Sequence, residues 1–159
     1  MAGFKVRPIE DNDAGPVWGL AQQFLNDTRY GAHMTLTQER FVADFLVFVD
    51  SHHAQGWVCE TEDGEIEGVV FATAERLQFS EELSSCDNAI FVKQGRRGAA
   101  LSKRLLKAYV QWAQDLGIKN EHIQIGVITG VTTERTAQYF ERIGFKCVGR
   151  MFVWGGSHG

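Results

Sequence analysis

A basic, glycine-containing turn between an apolar strand and a helix is the part of the sequence best suited to bind a ligand. The strand ends at Val92, the turn carries Arg96 and Arg97, and the helix begins among small residues from Gly98 to Ser102. The first amides of a helix lack intrahelical partners and lie at the positive end of its dipole, so such an end favours phosphate or pyrophosphate. Arginine adds charge and paired N–H donors. The alternative is a tight turn with a solvated basic rim.

Other motifs that could do chemistry are weaker. The chain contains neither GxxxxGK[ST] nor GxGxxG, so it lacks a standard P-loop and a Rossmann fingerprint. The adjacent His52 and His53 have no third ligand spaced nearby, which favours a helix-end or loop position over a metal site. The three cysteines are widely spaced without a CxxC pair, so we predict reduced thiols and no metal site.

Apolar spacing predicts the elements that hold the basic turn in place. Alternation predicts strands at Phe4–Ile9, Trp57–Glu60, Ile66–Ala74, Asn88–Lys93, His122–Ile128 and Cys147–Trp154. Helical spacing predicts a helix capped by Asp13, one through Phe41 and Val49, one over Ala99–Leu116 with Tyr109 facing inward, and one over Thr133–Ile143. A polar loop, Thr28 to Thr35, joins the first two helices, and another lies around Ser80 to Ser85. Asp63-Gly64 predicts a hairpin turn.

This order of elements indicates the fold class. Hairpins dominate the first half and βαβ units the second, so we predict one α+β domain over residues 1–159. Its central sheet is mixed but mostly antiparallel, and about four helices flank it.

Composition excludes several classes of protein. The 159 residues fit one domain, and a net charge of -4 disfavours nucleic acid as a partner. No stretch reaches the roughly 18 apolar residues of a membrane span, and the first ten residues lack the apolar core of a signal peptide. We therefore expect no membrane partner and a cytoplasmic location.

Two motifs resemble the GNAT superfamily of N-acetyltransferases. The basic turn resembles the pattern [Gln/Arg]-x-x-Gly-x-[Gly/Ala], with Arg97 in the first position and the small residues Ala100 and Ser102 in the two glycine positions. The segment from Thr133 to Phe145 resembles Asn-x-x-Ala-x-x-x-Tyr-Glu-x-x-Gly-Phe. Together with the first strand, the resemblance covers essentially the whole chain.

The resemblance implies acetyl-CoA as the acyl donor and an amine as the acceptor, and it makes a homodimer an expectation. The pyrophosphate would lie on the backbone amides at the start of the helix, and the pantetheine arm would run beside the strand that ends at Val92, whose N–H is the expected oxyanion donor. The cofactor-binding residues expected from the resemblance are Phe91, Val92, Arg96, Arg97, Gly98, Ala99, Ala100, Leu101, Ser102, Thr133, Thr136 and Phe140. Thr133 stands at the usual asparagine position, although a role only as a helix cap is equally consistent.

The catalytic groups are less clearly marked. Phe140 occupies the position of the family's usual proton-donating tyrosine, and the neighbouring Tyr139 lies about 100° around the helix. Tyr139 is thus one candidate acid, and water is the other. For the base, Glu75 at the end of a strand is the first candidate and Asp87 the second, although either carboxylate could simply be solvated. The loop with Tyr30, His33 and Met34 is the candidate acceptor surface.

Two functions remain open at this point. The first is direct transfer of an acetyl group to a primary amine. The second is a catalytically weak acyl-CoA-binding or interaction module that keeps the fold, which Phe140 favours.

Overall fold

A computed structural model describes residues 3–95, 97–127 and 132–153. This part of the chain forms a five-stranded sheet in the order β1-β2-β3-β4-β5 and four α-helices. The strands are β1 Phe4–Pro8, β2 Ala54–Thr61, β3 Ile66–Arg76, β4 Leu83–Val92 and β5 Ile123–Gln124. The helices are α1 Ala14–Asp27, α2 Gln38–Asp50, α3 Gly98–Asp115 and α4 Thr133–Arg142, with short 3-10 turns at Asp11–Asp13, Arg29–Ala32 and Asn120–His122.

The sheet lies between two layers of helices. Along β3, Val69 and Phe71 belong to a core shared with α1 and α2, whereas Val70 and Ala72 belong to a second core shared with α3. This alternation follows from the two-residue period of a strand. Both faces of the central strand are therefore buried, and each face of the sheet supports one helical layer.

The first four strands pair antiparallel and β5 pairs parallel to β4. The predicted α+β fold with a mixed, mostly antiparallel sheet is thus confirmed. The predicted hairpin turn is also present, because Gly64 has a φ of 82° and its N–H donates to the carbonyl of Thr61. None of the described helices is long and apolar enough to cross a membrane.

Three predicted strands differ most from the structure. β4 begins at Leu83, inside the segment predicted as a loop around Ser80 to Ser85, because Ser84 and Ser85 pair with Glu75 and Ala74 of β3. β5 pairs only at Ile123–Gln124 instead of over His122–Ile128, and Ile128 is outside the described residues. No strand is found over 147–153, where Val148 and Phe152 are 90% and 88% exposed, and Trp154 is not described. Alternation identifies strand-like residues but cannot show whether a partner edge is available.

Asp13 takes the predicted N-cap position of α1, but its carboxylate makes no capping bond to that helix. It accepts hydrogen bonds from Arg7 at 2.7 Å and from the N–H of Glu10 at 2.8 Å. Burial acts to raise the pKa of Asp13, but these bonds outweigh it and the pKa is lowered. Arg7 also forms an ion pair with Glu60 on β2, so these charged groups connect the start of α1 to β1 and β2 of the sheet.

Candidate functional site

An opening forms where β4 and β5 separate. The two strands pair at Ser85–Ile123 and Cys86–Gln124. Immediately afterwards β4 has a bulge, since Phe71 and Ala72 on β3 face Ala89 and Asp87, which leaves Asn88 as the extra residue. A side chain then replaces the strand ladder, because Oδ1 of Asp87 accepts a hydrogen bond from the N–H of Gly126 at 2.8 Å. The remaining part of β4 therefore forms one wall of the opening.

The backbone amide of Val92 faces this opening. The next residue, Lys93, donates its N–H to the carbonyl of Glu67 at 2.8 Å, which is on the β3 side. Because amide directions alternate along a strand, the N–H groups of Ile90 and Val92 point to the β5 side. These amides can donate to a ligand that extends along β4.

Tyr109 of α3 holds the two strands together at the point where they separate. Its hydroxyl is buried, donates to the carbonyl of Gln124 at 2.7 Å, and accepts from Oγ of Ser85 at 3.0 Å. Burial also raises the pKa of Tyr109, so the hydroxyl keeps its proton. The sequence predicted only that Tyr109 lies on the inward face of α3. Because a buried tyrosine hydroxyl requires a polar partner, that prediction could also have indicated a hydrogen bond to the sheet.

We predict that Tyr109→Phe destabilises the protein by about 1–3 kcal/mol, because the carbonyl of Gln124 and the hydroxyl of Ser85 lose a buried partner. Urea unfolding measures this loss, and hydrogen exchange at Gly126 should accelerate as β5 loosens. Tyr30→Phe, in a half-buried loop position, is the matched control and should change the unfolding free energy little. Equal stability of the two variants would contradict this role of Tyr109.

The turn after β4 places the start of α3 at the other end of the opening, beyond Val92. Gly95 has a φ of 145°, a conformation that favours glycine, and its carbonyl accepts the N–H of Gly98 at 3.2 Å. In the first turn, the amides of Ala99 and Ala100 follow, and both residues are exposed. Arg97 occupies the N-cap position without a side-chain capping bond, and its guanidinium lies 5.3 Å from the ring centroid of Phe4. Arg97 thus precedes these amides in the chain, but its guanidinium packs on Phe4 of β1.

Gly98 is not needed by the fold itself. A Cβ atom on this residue would lie 3.8 Å from the carbonyl oxygen of Lys93 and 3.9 Å from Cγ1 of Val92, which are ordinary contacts. By contrast, a Cβ on Gly68 would lie 3.1 Å from Cδ1 of Leu105. A side chain at position 98 would therefore be tolerated sterically at its Cβ, and the absence of one keeps the start of α3 free of side-chain bulk.

Other predicted cofactor residues on α3 turn inward. Leu101 is 1% exposed, so only its backbone could contact a ligand. Oγ of Ser102 donates to the carbonyl of Gly98 at 2.8 Å. Arg96 lies outside the described residues.

Helix α4 places its two aromatic residues differently. Phe140 is buried against the α3 core, and the hydroxyl of Tyr139 donates to the carbonyl of Ala99 at 2.7 Å. Desolvation raises the pKa of Tyr139, and the charge of Arg142 partly opposes this. Tyr139 therefore places a hydroxyl group at the start of α3, whereas the phenyl ring of Phe140 is buried.

The predicted cap of α4 is shifted by one residue. Thr132, with a φ of 43°, occupies the N-cap position, so the prediction of Thr133 as the cap was wrong. Thr133 is the first helical residue and is exposed, and Thr136 is half-buried, its N–H donating to the carbonyl of Thr132. Residues 128–131, which precede Thr132, are not described.

A pocket of about 400 Å³ lies on the α1 and α2 side of β4. It is lined by Ala21, Phe24, Leu25, Tyr30, Met34, Leu36, Phe41, Cys86, Asp87, Asn88, Ala89, Ile90, Phe91, Gly126 and Met151. Tyr30 and Met34 of the predicted acceptor loop are in this wall, whereas His33 is not. Phe91 is also here, packed against Phe24 with ring centroids 4.6 Å apart, so its side chain faces the pocket side of the sheet.

Of the two candidate bases, Asp87 lies in the pocket wall and Glu75 does not. Glu75 is exposed and stands opposite Ser84 at the far end of β3. Burial raises the pKa of Asp87, and the hydrogen bond from Gly126 only partly opposes this. A carboxylate with a raised pKa at the bottom of a pocket is suited to accept a proton.

Cys86 is a neutral thiol at this site. Burial raises its pKa to about 11, and the nearby charge of Asp87 adds to the shift. Because the thiolate is the nucleophilic form, Cys86 is a poor nucleophile at neutral pH. No group of three or more His, Cys, Asp or Glu residues suited to a metal occurs in the described ranges.

Comparison with known proteins identifies the fold. No family profile and no curated protein matches the sequence. The structure is similar to an aminoglycoside 6'-N-acetyltransferase from Acinetobacter baumannii, with a TM-score of 0.74, 12% identity and coverage of 99% of this chain and 100% of that one. It is also similar to an aminoglycoside N-acetyltransferase in complex with CoA, with a TM-score of 0.77, 14% identity and coverage of 99% and 97%.

A third similar structure is that of an acetyltransferase named for a different acceptor. It is glucosamine-6-phosphate N-acetyltransferase from Arabidopsis thaliana, with a TM-score of 0.70, 17% identity and coverage of 97% and 99%. At these identities the likeness establishes the fold and not the substrate. The chain shares the fold of these three proteins, which is the fold implied by the resemblance of its two motifs.

Proposed function

We propose that this chain, which has the GNAT fold, is an acetyl-CoA-dependent N-acetyltransferase that transfers the acetyl group directly to a primary amine. The observation that carries the proposal is the opening between β4 and β5, which extends from the start of α3 to the half-buried carboxylate of Asp87. The end of this opening at the start of α3 is suited to an anion, and the end at Asp87 is suited to an amine. Similar solved proteins are N-acetyltransferases, and one of them was crystallised with CoA.

The residues at the start of α3 fit the phosphates of CoA. The first-turn amides of Ala99 and Ala100, two exposed residues with small side chains, form a small cradle that suits an anion. The guanidinium of Arg97, at the N-cap, lies over the ring of Phe4 and would have to turn from it to add its charge to the cradle. The amides of Ile90 and Val92 can pair with the extended pantetheine arm as an added strand would. When bound, acetyl-CoA would supply an activated acetyl thioester.

The chain's own groups then account for the transfer. Asp87 takes the proton from the incoming ammonium, so that the free amine can attack the thioester carbonyl carbon. The N–H of Ile90, which faces the β5 side and lies nearer Asp87 along β4 than the N–H of Val92 expected from the sequence, would donate a hydrogen bond to the carbonyl oxygen as negative charge develops there. The new C–N bond would form as the C–S bond breaks, with the nitrogen releasing its second proton to water and the departing sulfur taking up one proton. A donor that supplies the sulfur is reprotonated from solvent.

Tyr139 is the proposed donor of that proton, with water as the alternative. Its hydroxyl would first have to leave the carbonyl of Ala99. The raised pKa of Tyr139 keeps the donor protonated at neutral pH. Loss of this donor would cost little, because a thiolate is a good leaving group.

Titration with acetyl-CoA in a calorimeter, followed by mass spectrometry of reactions with a panel of primary amines, tests the proposal. We expect stoichiometric binding of acetyl-CoA and amine-dependent release of CoA with acetylation of the amine. Absence of binding would overturn both the cradle and the function. Binding without turnover on any amine would favour the second candidate, a catalytically weak acyl-CoA-binding module, which the buried Phe140 at the tyrosine position supports.

Direct transfer also predicts that Cys86 is dispensable. Because its thiol stays protonated, we expect Cys86→Ala to keep kcat within about threefold and to form no acetyl-enzyme, whereas loss of a nucleophile would remove activity. Steady-state kinetics and mass spectrometry of the intact protein after mixing with acetyl-CoA measure these outcomes. An acetyl group retained on wild-type Cys86 would instead indicate a two-step mechanism.

A further inference from the structure

The pocket beside Asp87 has a wall whose chemistry restricts the acceptor. The elements on the side opposite β4 contribute apolar side chains, namely Phe24 and Leu25 from α1, Met34 and Leu36 from the loop, and Phe41 from α2. At about 400 Å³, the cavity suits a small ligand rather than an extended oligosaccharide.

Charge is concentrated at one point of the pocket. Among the lining residues that the structure describes, Asp87 is the only carboxylate, and none carries a positive charge. One cationic group can therefore be paired at Asp87, whereas a second would meet an apolar wall.

We infer that the acceptor is a small primary monoamine with an apolar body, such as an arylalkylamine or alkylamine, and not a polycation. This inference rests on the proposed function and specifies its substrate class. The amine nitrogen lies at Asp87, at the mouth of the opening between β4 and β5, and the apolar body lies against the wall formed by α1, the loop and α2. Burial of that body favours binding in proportion to its apolar area.

A polycation would bind poorly for the same reason. A polyamine or aminoglycoside brings several ammonium groups, and each one placed against the apolar wall loses water without gaining a partner. The similar aminoglycoside acetyltransferases share the fold of this chain, but their names describe acceptors of the polycationic class. The inferred acceptor class thus differs from theirs.

The test compares 2-phenylethylamine and hexylamine with spermidine and kanamycin, by kcat/KM with acetyl-CoA and by equilibrium binding in the presence of CoA. We expect kcat/KM and affinity to favour the apolar monoamines by at least about 30-fold. Preference for spermidine or kanamycin in the binding measurement would overturn the inference whether or not turnover occurs. Absence of CoA release with every amine, with 2-phenylethylamine still the tighter ligand, would instead remove only the proposed function.

A charge placed in the wall provides a second test. Met34 is half exposed, so Met34→Glu should fold, and the new carboxylate should raise kcat/KM and affinity for spermidine relative to 2-phenylethylamine by about tenfold. Val47→Glu is the matched control, because Val47 is exposed on α2 and outside the pocket wall. Equal ratios in the two variants would show that the acceptor does not lie against this wall.

Discussion

Replacing Gly98 with valine is expected to abolish tight acetyl-CoA binding while the protein stays folded. The Cβ of the new side chain would meet only ordinary contacts within the protein, at 3.8 Å and 3.9 Å, so we expect the fold to accommodate it. It fills the space in front of the first amides of α3, where the pyrophosphate is proposed to lie. Charge-assisted hydrogen bonds are worth about 1.5–3 kcal/mol each, so we expect the Kd to rise about 100-fold or more.

Calorimetric titration with acetyl-CoA measures this effect, and thermal unfolding checks the fold. Gly98→Ala should weaken binding less, because its side chain is smaller. Gly19→Val is the matched control, since Gly19 is also helical and a Cβ there has no neighbour within 4 Å. Unchanged affinity in folded Gly98→Val would show that the phosphates lie elsewhere.

Asp87→Asn is expected to lower kcat by about 10²- to 10⁴-fold, the range for loss of a general base, without weakening acetyl-CoA binding. The asparagine can still accept the N–H of Gly126, so the opening between β4 and β5 should keep its shape. Steady-state kinetics with the best acceptor amine and calorimetry with acetyl-CoA measure the two effects.

Asp87→Asn is expected to lower kcat but not the stability of the folded protein. Burial raises the pKa of Asp87 in the folded protein, so between the ordinary value and the raised value the unfolded chain loses its proton first. Wild-type stability therefore falls as pH rises through this window. The asparagine variant has no such dependence, and at neutral pH we expect it to be at least as stable as wild type. Urea unfolding at several pH values measures the difference.

Glu75→Gln is the matched control for Asp87→Asn. It removes the exposed carboxylate that the sequence suggested first as the base, at a position outside the pocket wall. We expect nearly wild-type kcat for this variant. Loss of activity in Glu75→Gln with retention in Asp87→Asn would assign the base to Glu75 instead.

Local patterns predicted much of the fold correctly. The turn from Val92 to Gly98, the length of α3 and the hairpin at Gly64 depend on glycine conformations and apolar spacing, which are properties of neighbouring residues. The final strand over residues 147–153 was wrong because pairing requires an edge from a distant part of the chain.

The sequence by itself determined the end of the site that we propose to bind an anion. A basic turn with Arg97, the small residues that follow it and a helix start are contiguous in the chain, so their chemistry is present whatever the remaining fold. Only the tertiary structure decided which carboxylate enters the pocket. Contacts between segments far apart in sequence determine its geometry. They include the bulge at Asn88 against β3, the hydrogen bond from the N–H of Gly126 to Asp87, and the hydrogen bond from the hydroxyl of Tyr109 to the carbonyl of Gln124. Because burial and direction come from those contacts, Asp87 and Glu75 could be told apart only in the folded chain.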